Sequence, residues 1–165
     1  MIRRLLSCAL VIASTAAIAP KAFAQSVDIN FSGTVQGKCN FGTPTGGVLA
    51  ADGGFGNGQG ASKISSLVPG GSPGQVIVSC NEPANLMISA PIQTGGPSGG
   101  LSGAIVESPF GSTGTGFGSF SGPTGPLFLP SGATPLTVHM GVESASNSYL
   151  PPGNYAYKVT LTITP

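Results

Sequence analysis

Charge is scarce in this sequence: 165 residues carry six Lys or Arg, five Asp or Glu, and one histidine. Beyond residue 24, Lys38, Lys63 and Lys158 stand against Asp28, Asp52, Glu82, Glu107 and Glu143, a net charge of −2. Such a chain has no basic patch or stripe for nucleic acid or for anionic lipid. Tryptophan is absent, and no stretch repeats with the period of an amphipathic helix. Despite 27 glycines, neither G-x-G-x-x-G nor G-x-x-x-x-G-K-[ST] occurs, which excludes nucleotide binding by those routes. Cysteine is limited to Cys8, Cys39 and Cys80, without the neighbouring Cys or His pairs that a zinc site uses.

What is present begins with a leader. Residues 1–24 carry Arg3 and Arg4, an apolar run from Leu5 to Ala19, the helix breaker Pro20, and "AFA" just before Gln25. That order predicts a secretory signal peptide cleaved before Gln25. The apolar run is shorter than the ~20 residues a membrane span needs, so no integral membrane segment is expected after cleavage. Residues 25–165 suit one domain with one core. Cys8 leaves with the leader. Cys39 and Cys80 remain, and an even pair in an oxidising compartment implies one disulfide. Free thiols or metal ligands are the alternatives. A bridge would close a loop of about 40 residues, worth roughly 4 kcal/mol in the chain-entropy account.

Glycine, proline, serine and threonine disfavour helices and favour turns between short strands. Residues 27–36 alternate without a slip, with Val27, Ile29, Phe31, Gly33 and Val35 on one face, and Cys39 continues that parity. Residues 40–74 are mostly turn-forming, with short apolar pieces at 48–50 and 64–68 and room for one short edge strand. "QVIVSC" puts Val76, Val78 and Cys80 on one face, and the parity of both cysteines suggests a bridge through a sandwich core. Residues 84–90 make a strand stopped by Pro91, and "LSGAIVE" makes a weaker one. In the glycine-rich stretch 108–135, Phe110, Phe117, Phe120 and Phe128 are expected to fold back as lids on the core. Residues 136–142 turn Leu136, Val138, Met140 and Val142 inward. After the tight turn "LPPGN", Tyr155, Tyr157, Val159, Leu161 and Ile163 share one face of the last strand. Six to seven short strands predict an all-β, immunoglobulin-like β-sandwich with long Gly/Ser/Pro-rich loops and one inter-sheet disulfide.

Catalytic signals are weak. "GGSPG" (70–74) and "GPSGG" (96–100) match G-x-S-x-G, but neither joins a strand to a helix as a nucleophile elbow does. His139 falls on the outward face of its strand. Glu143 lies roughly 13 Å along the same strand, too far to orient it. "NFS" at Asn30 fits a glycosylation acceptor, but inside a strand rather than a loop. No enzyme and no cofactor is expected.

"VDINFSGTVQGKC", a second cysteine about 40 residues on in "VIVSC", and "PPGNYAYKVTLTIT" at the end come in a recognisable order. The chain resembles subunits of chaperone-usher pili, in the spore-coat-protein-U-like or archaic branch. There the first cysteine follows soon after the mature start and a G-x-Y turn opens the last strand, here Gly153 and Tyr155. The resemblance implies a sandwich lacking its final strand, which a periplasmic chaperone lends and the N-terminal segment of the next subunit then replaces. Val27, Ile29 and Phe31 would be the donor-strand residues. Tyr155, Tyr157, Val159, Leu161 and Ile163 would edge the acceptor groove. Partners would be a periplasmic chaperone, an outer-membrane usher, and identical or related subunits, with the protein passing through the periplasm to the cell surface or medium. The alternative expectation is a stand-alone secreted sandwich that binds a surface or ligand through its loops.

Overall fold

Gly and Pro interrupt nearly every apolar run, and the strands are accordingly short. The computed structural model describes residues 27–53, 60–98, 100–116, 118, 120, 122–145 and 148–164. The leader expected at 1–24, Phe117 and the C-terminal Pro165 lie outside them. The chain divides into two units, Met1–Thr34 and Val35–Pro165. Of the first, residues 27–34 are described: all are exposed and none is in a strand.

The second unit is all-β, with no helix among the described residues. Its strands are β1 (Cys39–Phe41), β2 (Ala50–Ala51), β3 (Lys63–Ser65), β4 (Gly74–Cys80), β5 (Ala84–Ile88) and β6 (Ile92–Gly95). There follow β7 (Leu101–Ser108), β8 (Gly111–Gly114), β9 (Leu127–Leu129), β10 (Gly132–Glu143), β11 (Ala156–Lys158) and β12 (Leu161–Thr164). Strand β10 is the hub of a seven-stranded antiparallel sheet, pairing β4, β7 and β3; β1 lies beyond β4, β2 beyond β3, and β8 folds back on β7. Pro135 sits inside β10, in the part that β7 leaves uncovered. That is where a residue without an N–H is tolerated in a sheet.

Two smaller ladders, β12-β5-β9 and β11-β6, form the opposing layer. They are one ribbon broken near Pro91: Ser89 N donates to Thr160 O at 2.9 Å, and Thr160 N donates to Ser89 Oγ at 3.0 Å across the gap. Strand parity sets the core between the layers. Val78, Cys80 and Leu136 from the large sheet meet Ala84, Leu86 and Leu129 from the small one. Ile64, Ala104, Met140, Val142 and Leu150 make a second cluster.

Four expectations change. Residues 27–36, the most regular alternation in the sequence, are not a strand: residues 27–38 carry no ladder, and Val27, Ile29, Phe31 and Val35 are 71–91% exposed. Alternation says that a segment suits a sheet, but it supplies no partner. The disulfide exists, yet it joins neighbouring strands of one sheet, with Cys39 directly opposite Cys80 and their Cα atoms 4.1 Å apart. The 40–74 excursion is more ordered than its composition suggests, because its two apolar pieces find each other as β2 and β3. Of the loop phenylalanines, Phe120 is buried over Gly141, while Phe110 and Phe128 are exposed.

Candidate functional site

The inward residues of the last strand are not sealed. From Tyr155 to Thr164 burial alternates residue by residue, as the sequence predicts, but Tyr155, Tyr157, Val159, Leu161 and Ile163 are all only half-buried. Of the inward residues of its neighbour β5, Ala84 and Leu86 are buried and Ile88 is half-buried. The difference is an open groove of about 550 Å³. Val76, Val138 and Met140 of the large sheet form its floor; Leu49 and residues 44–47 stand on one side, and Tyr155, Tyr157, Val159 and Leu161 on the other. Ile163 lies past the end of the groove and packs on the first core cluster.

Among the described residues, strand β11 pairs only with β6, β12 only with β5, and β1 only with β4. The entrance of the groove is fixed by the G-x-Y turn. Tyr155 Oη donates to Pro151 O at 2.6 Å, the tyrosine-corner arrangement seen at the start of a late strand in immunoglobulin-like sandwiches. Gly153 makes the turn fit, since a Cβ there would come within 2.6 Å of Pro97 Cγ. Burial raises the Tyr157 phenol above its ordinary pKa, and the neighbouring Tyr155 adds to the shift.

The remaining candidates fall elsewhere. Ser72 is tied by its backbone to Val48, at 2.9 Å and 2.8 Å, and presents no nucleophile elbow. The second G-x-S-x-G match contains Gly99, outside the described residues. His139 is less exposed than its parity predicts: Nδ1 lies 3.4 Å from Ser66 Oγ, and Nε2 lies 3.9 Å from Glu107 Oε2. These are triad residue types without triad geometry. The carboxylate is beyond hydrogen-bond reach, and Ser66 Oγ accepts Met140 N at 3.0 Å, closing the β3–β10 junction. Adjacent strands bring Glu107 to His139, so a search along a single strand misses it. A polar cleft of about 400 Å³ holds Asp52, Lys63, Glu143 and Tyr149, with Ser62 Oγ donating to Asp52 Oδ2 at 2.7 Å. Among the described residues no three His, Cys, Asp or Glu side chains gather to hold a metal, and no helix is long and apolar enough to cross a membrane. The disulfide fits an oxidising compartment.

Sequence reading left Leu49 and Asn81 unassigned. Leu49 had a signal, its place in an apolar piece between turns; Asn81, which binds the chain before β1, had none. Fold and groove together define an all-β, sandwich-like protein with an open groove lined mainly by apolar side chains. Comparison with family models, curated proteins and solved structures gives no significant match.

Proposed function

We propose that this protein is a secreted structural subunit of a surface pilus or coat that assembles by donor-strand exchange. The observation that carries the reading is the free edge of residues 156–164 beside an apolar groove, in a chain that also holds an unpaired alternating segment. Val27, Ile29 and Phe31 are exposed, so their burial in a neighbour's groove releases apolar surface from water, about 1.5–3 kcal/mol for each side chain. Residues 27–35 extended span roughly 27 Å, enough to cover the roughly 20 Å of residues 155–161 that line the groove. Main-chain hydrogen bonds to the free edge would supply register-independent affinity, and alternate side chains would supply specificity. In this reading a periplasmic chaperone fills the groove before assembly, an outer-membrane usher exports the subunit, and the leader directs secretion.

The test uses protein beginning at Gln25 and a variant lacking residues 25–35. Full-length protein is expected to form multimers that resist mild denaturant, the truncated form to remain monomeric, and a synthetic 25–36 peptide to bind the truncated form. A full-length protein that stays monomeric at every concentration, with no peptide binding, rejects the proposal in favour of a stand-alone sandwich.

A further inference from the structure

Asn30, Phe31 and Ser32 form the only N-x-[ST] acceptor in the chain, since none of the other six asparagines has a hydroxyl residue two positions on. Such an acceptor needs an accessible surface segment of an exported protein, whereas the alternation of residues 27–36 predicts a strand there. The structure removes that obstacle. Residues 27–38 carry no ladder, and Asn30 and Ser32 are exposed along with every other residue from 27 to 34. The middle residue is Phe31, not the proline that bars such a site. Asp28 stands two residues before the asparagine, so carboxylate, carboxamide and hydroxyl follow one another at every second residue, about 7 Å apart in an extended chain.

We propose that Asn30 is an N-glycosylation site, modified after export by a transferase whose sugar donor is a polyprenyl-diphosphate-linked oligosaccharide. The proposal rests on the secretion that the leader at 1–24 predicts, and not on strand exchange. In the transfer, Asn30 Nδ2 attacks the anomeric carbon of the first sugar. A C–N bond forms there while the bond from that carbon to the diphosphate oxygen breaks; polyprenyl diphosphate leaves with the electron pair, and the amide proton passes to a base of the transferase. A carboxamide nitrogen is a weak nucleophile, so the transferase has to close around it, which a paired strand in a sheet does not permit. Residues 27–34, outside every ladder, do permit it. Ser32 Oγ offers a hydrogen-bonding handle at a fixed spacing, and Asp28 offers a carboxylate for a cationic donor of the transferase. When the segment is extended, Asn30 faces away from Val27, Ile29 and Phe31. A glycan on it therefore leaves that apolar face bare, and modification is compatible with strand addition.

The experiment is mass spectrometry, of the intact chain and of its peptide fragments, on protein recovered from the surface or medium of the cells that make it. Asn30→Gln, Ser32→Ala, Ser32→Thr and Asp28→Asn variants are made in the same cells. Wild type is expected to exceed the bare chain by the mass of an oligosaccharide, with the fragments placing it on Asn30. Asn30→Gln and Ser32→Ala are expected to lose it completely, and Ser32→Thr, which keeps the hydroxyl, to retain it. Asp28→Asn is expected to lower the ratio of modified to unmodified chain about tenfold, the effect of losing one hydrogen bond to a charged group. All three positions are exposed and outside every strand, so the variants should fold, and the Cys39–Cys80 disulfide in each is the check. Wild type at the bare chain mass, or a glycan that survives Asn30→Gln, overturns the proposal. Undiminished modification in Asp28→Asn overturns the part given to Asp28.

Discussion

If residues 27–35 bind as a strand, the cost of substituting them must alternate along the sequence. Phe31 is 91% exposed in the free chain, and its parity with Val27 and Ile29 turns it toward the groove. Truncating a phenylalanine that becomes buried forfeits most of its transfer free energy, about 2 kcal/mol, or about thirtyfold in dissociation constant. Ile29→Ala should cost slightly less. Asn30→Ala and Ser32→Ala remove side chains from the opposite face, where about 0.5 kcal/mol, roughly twofold, is the expected ceiling. The assay is titration of fluorescently labelled 25–36 peptides against the protein lacking residues 25–35, read by anisotropy. Equal losses at 29, 30, 31 and 32 would mean that the segment binds as an unstructured apolar tail. Losses at 30 and 32 alone would place the opposite face in the groove, and either outcome refutes the reasoning.

Replacing Cys39 and Cys80 together by serine should cost about 4 kcal/mol, the chain-entropy value for the 41-residue separation they close. Urea melts of oxidised protein and of the double variant check it, and β1 is expected to lose hydrogen-exchange protection first, because it pairs on one edge only. The raised Tyr157 phenol has a definite sign: above the ordinary value of ~10 the unfolded chain releases a proton that the folded chain retains. Stability should therefore be constant below that pH and fall as pH rises through the folded value. Phenolate absorbance of wild type against Tyr157→Phe reads the titration, and peptide in the groove should move it further up by deeper burial.

Strand parity was legible wherever one face meets the core. The inward sets Val76, Val78, Cys80 and Leu136, Val138, Met140, Val142 needed no information beyond alternation, and the structure turns each toward the core or the groove. The break at Pro91 followed from a missing donor. Pairing was not legible, because a strand's partner is chosen by residues far away in sequence. Hence the disulfide, expected across the layers, lies within one. Likewise Glu107 reaches His139 only because β7 pairs with β10, and Phe120 rather than Phe128 is the aromatic that closes on the core.

Residues 27–36 mark the boundary between the two kinds of information. Their composition and period of two determined that they suit a half-buried strand, since successive side chains of an extended chain face opposite ways whatever lies beside them. The sequence alone also marked the chain as all-β, poor in charge, and supplied with two cysteines beyond the leader expected at 1–24. Only the tertiary structure decided that this segment lies outside every ladder, that the last strand keeps a free edge, and that an apolar groove lies open beside it. Those are properties of what is next to each residue once the sheets have paired and packed, and no local pattern encodes them.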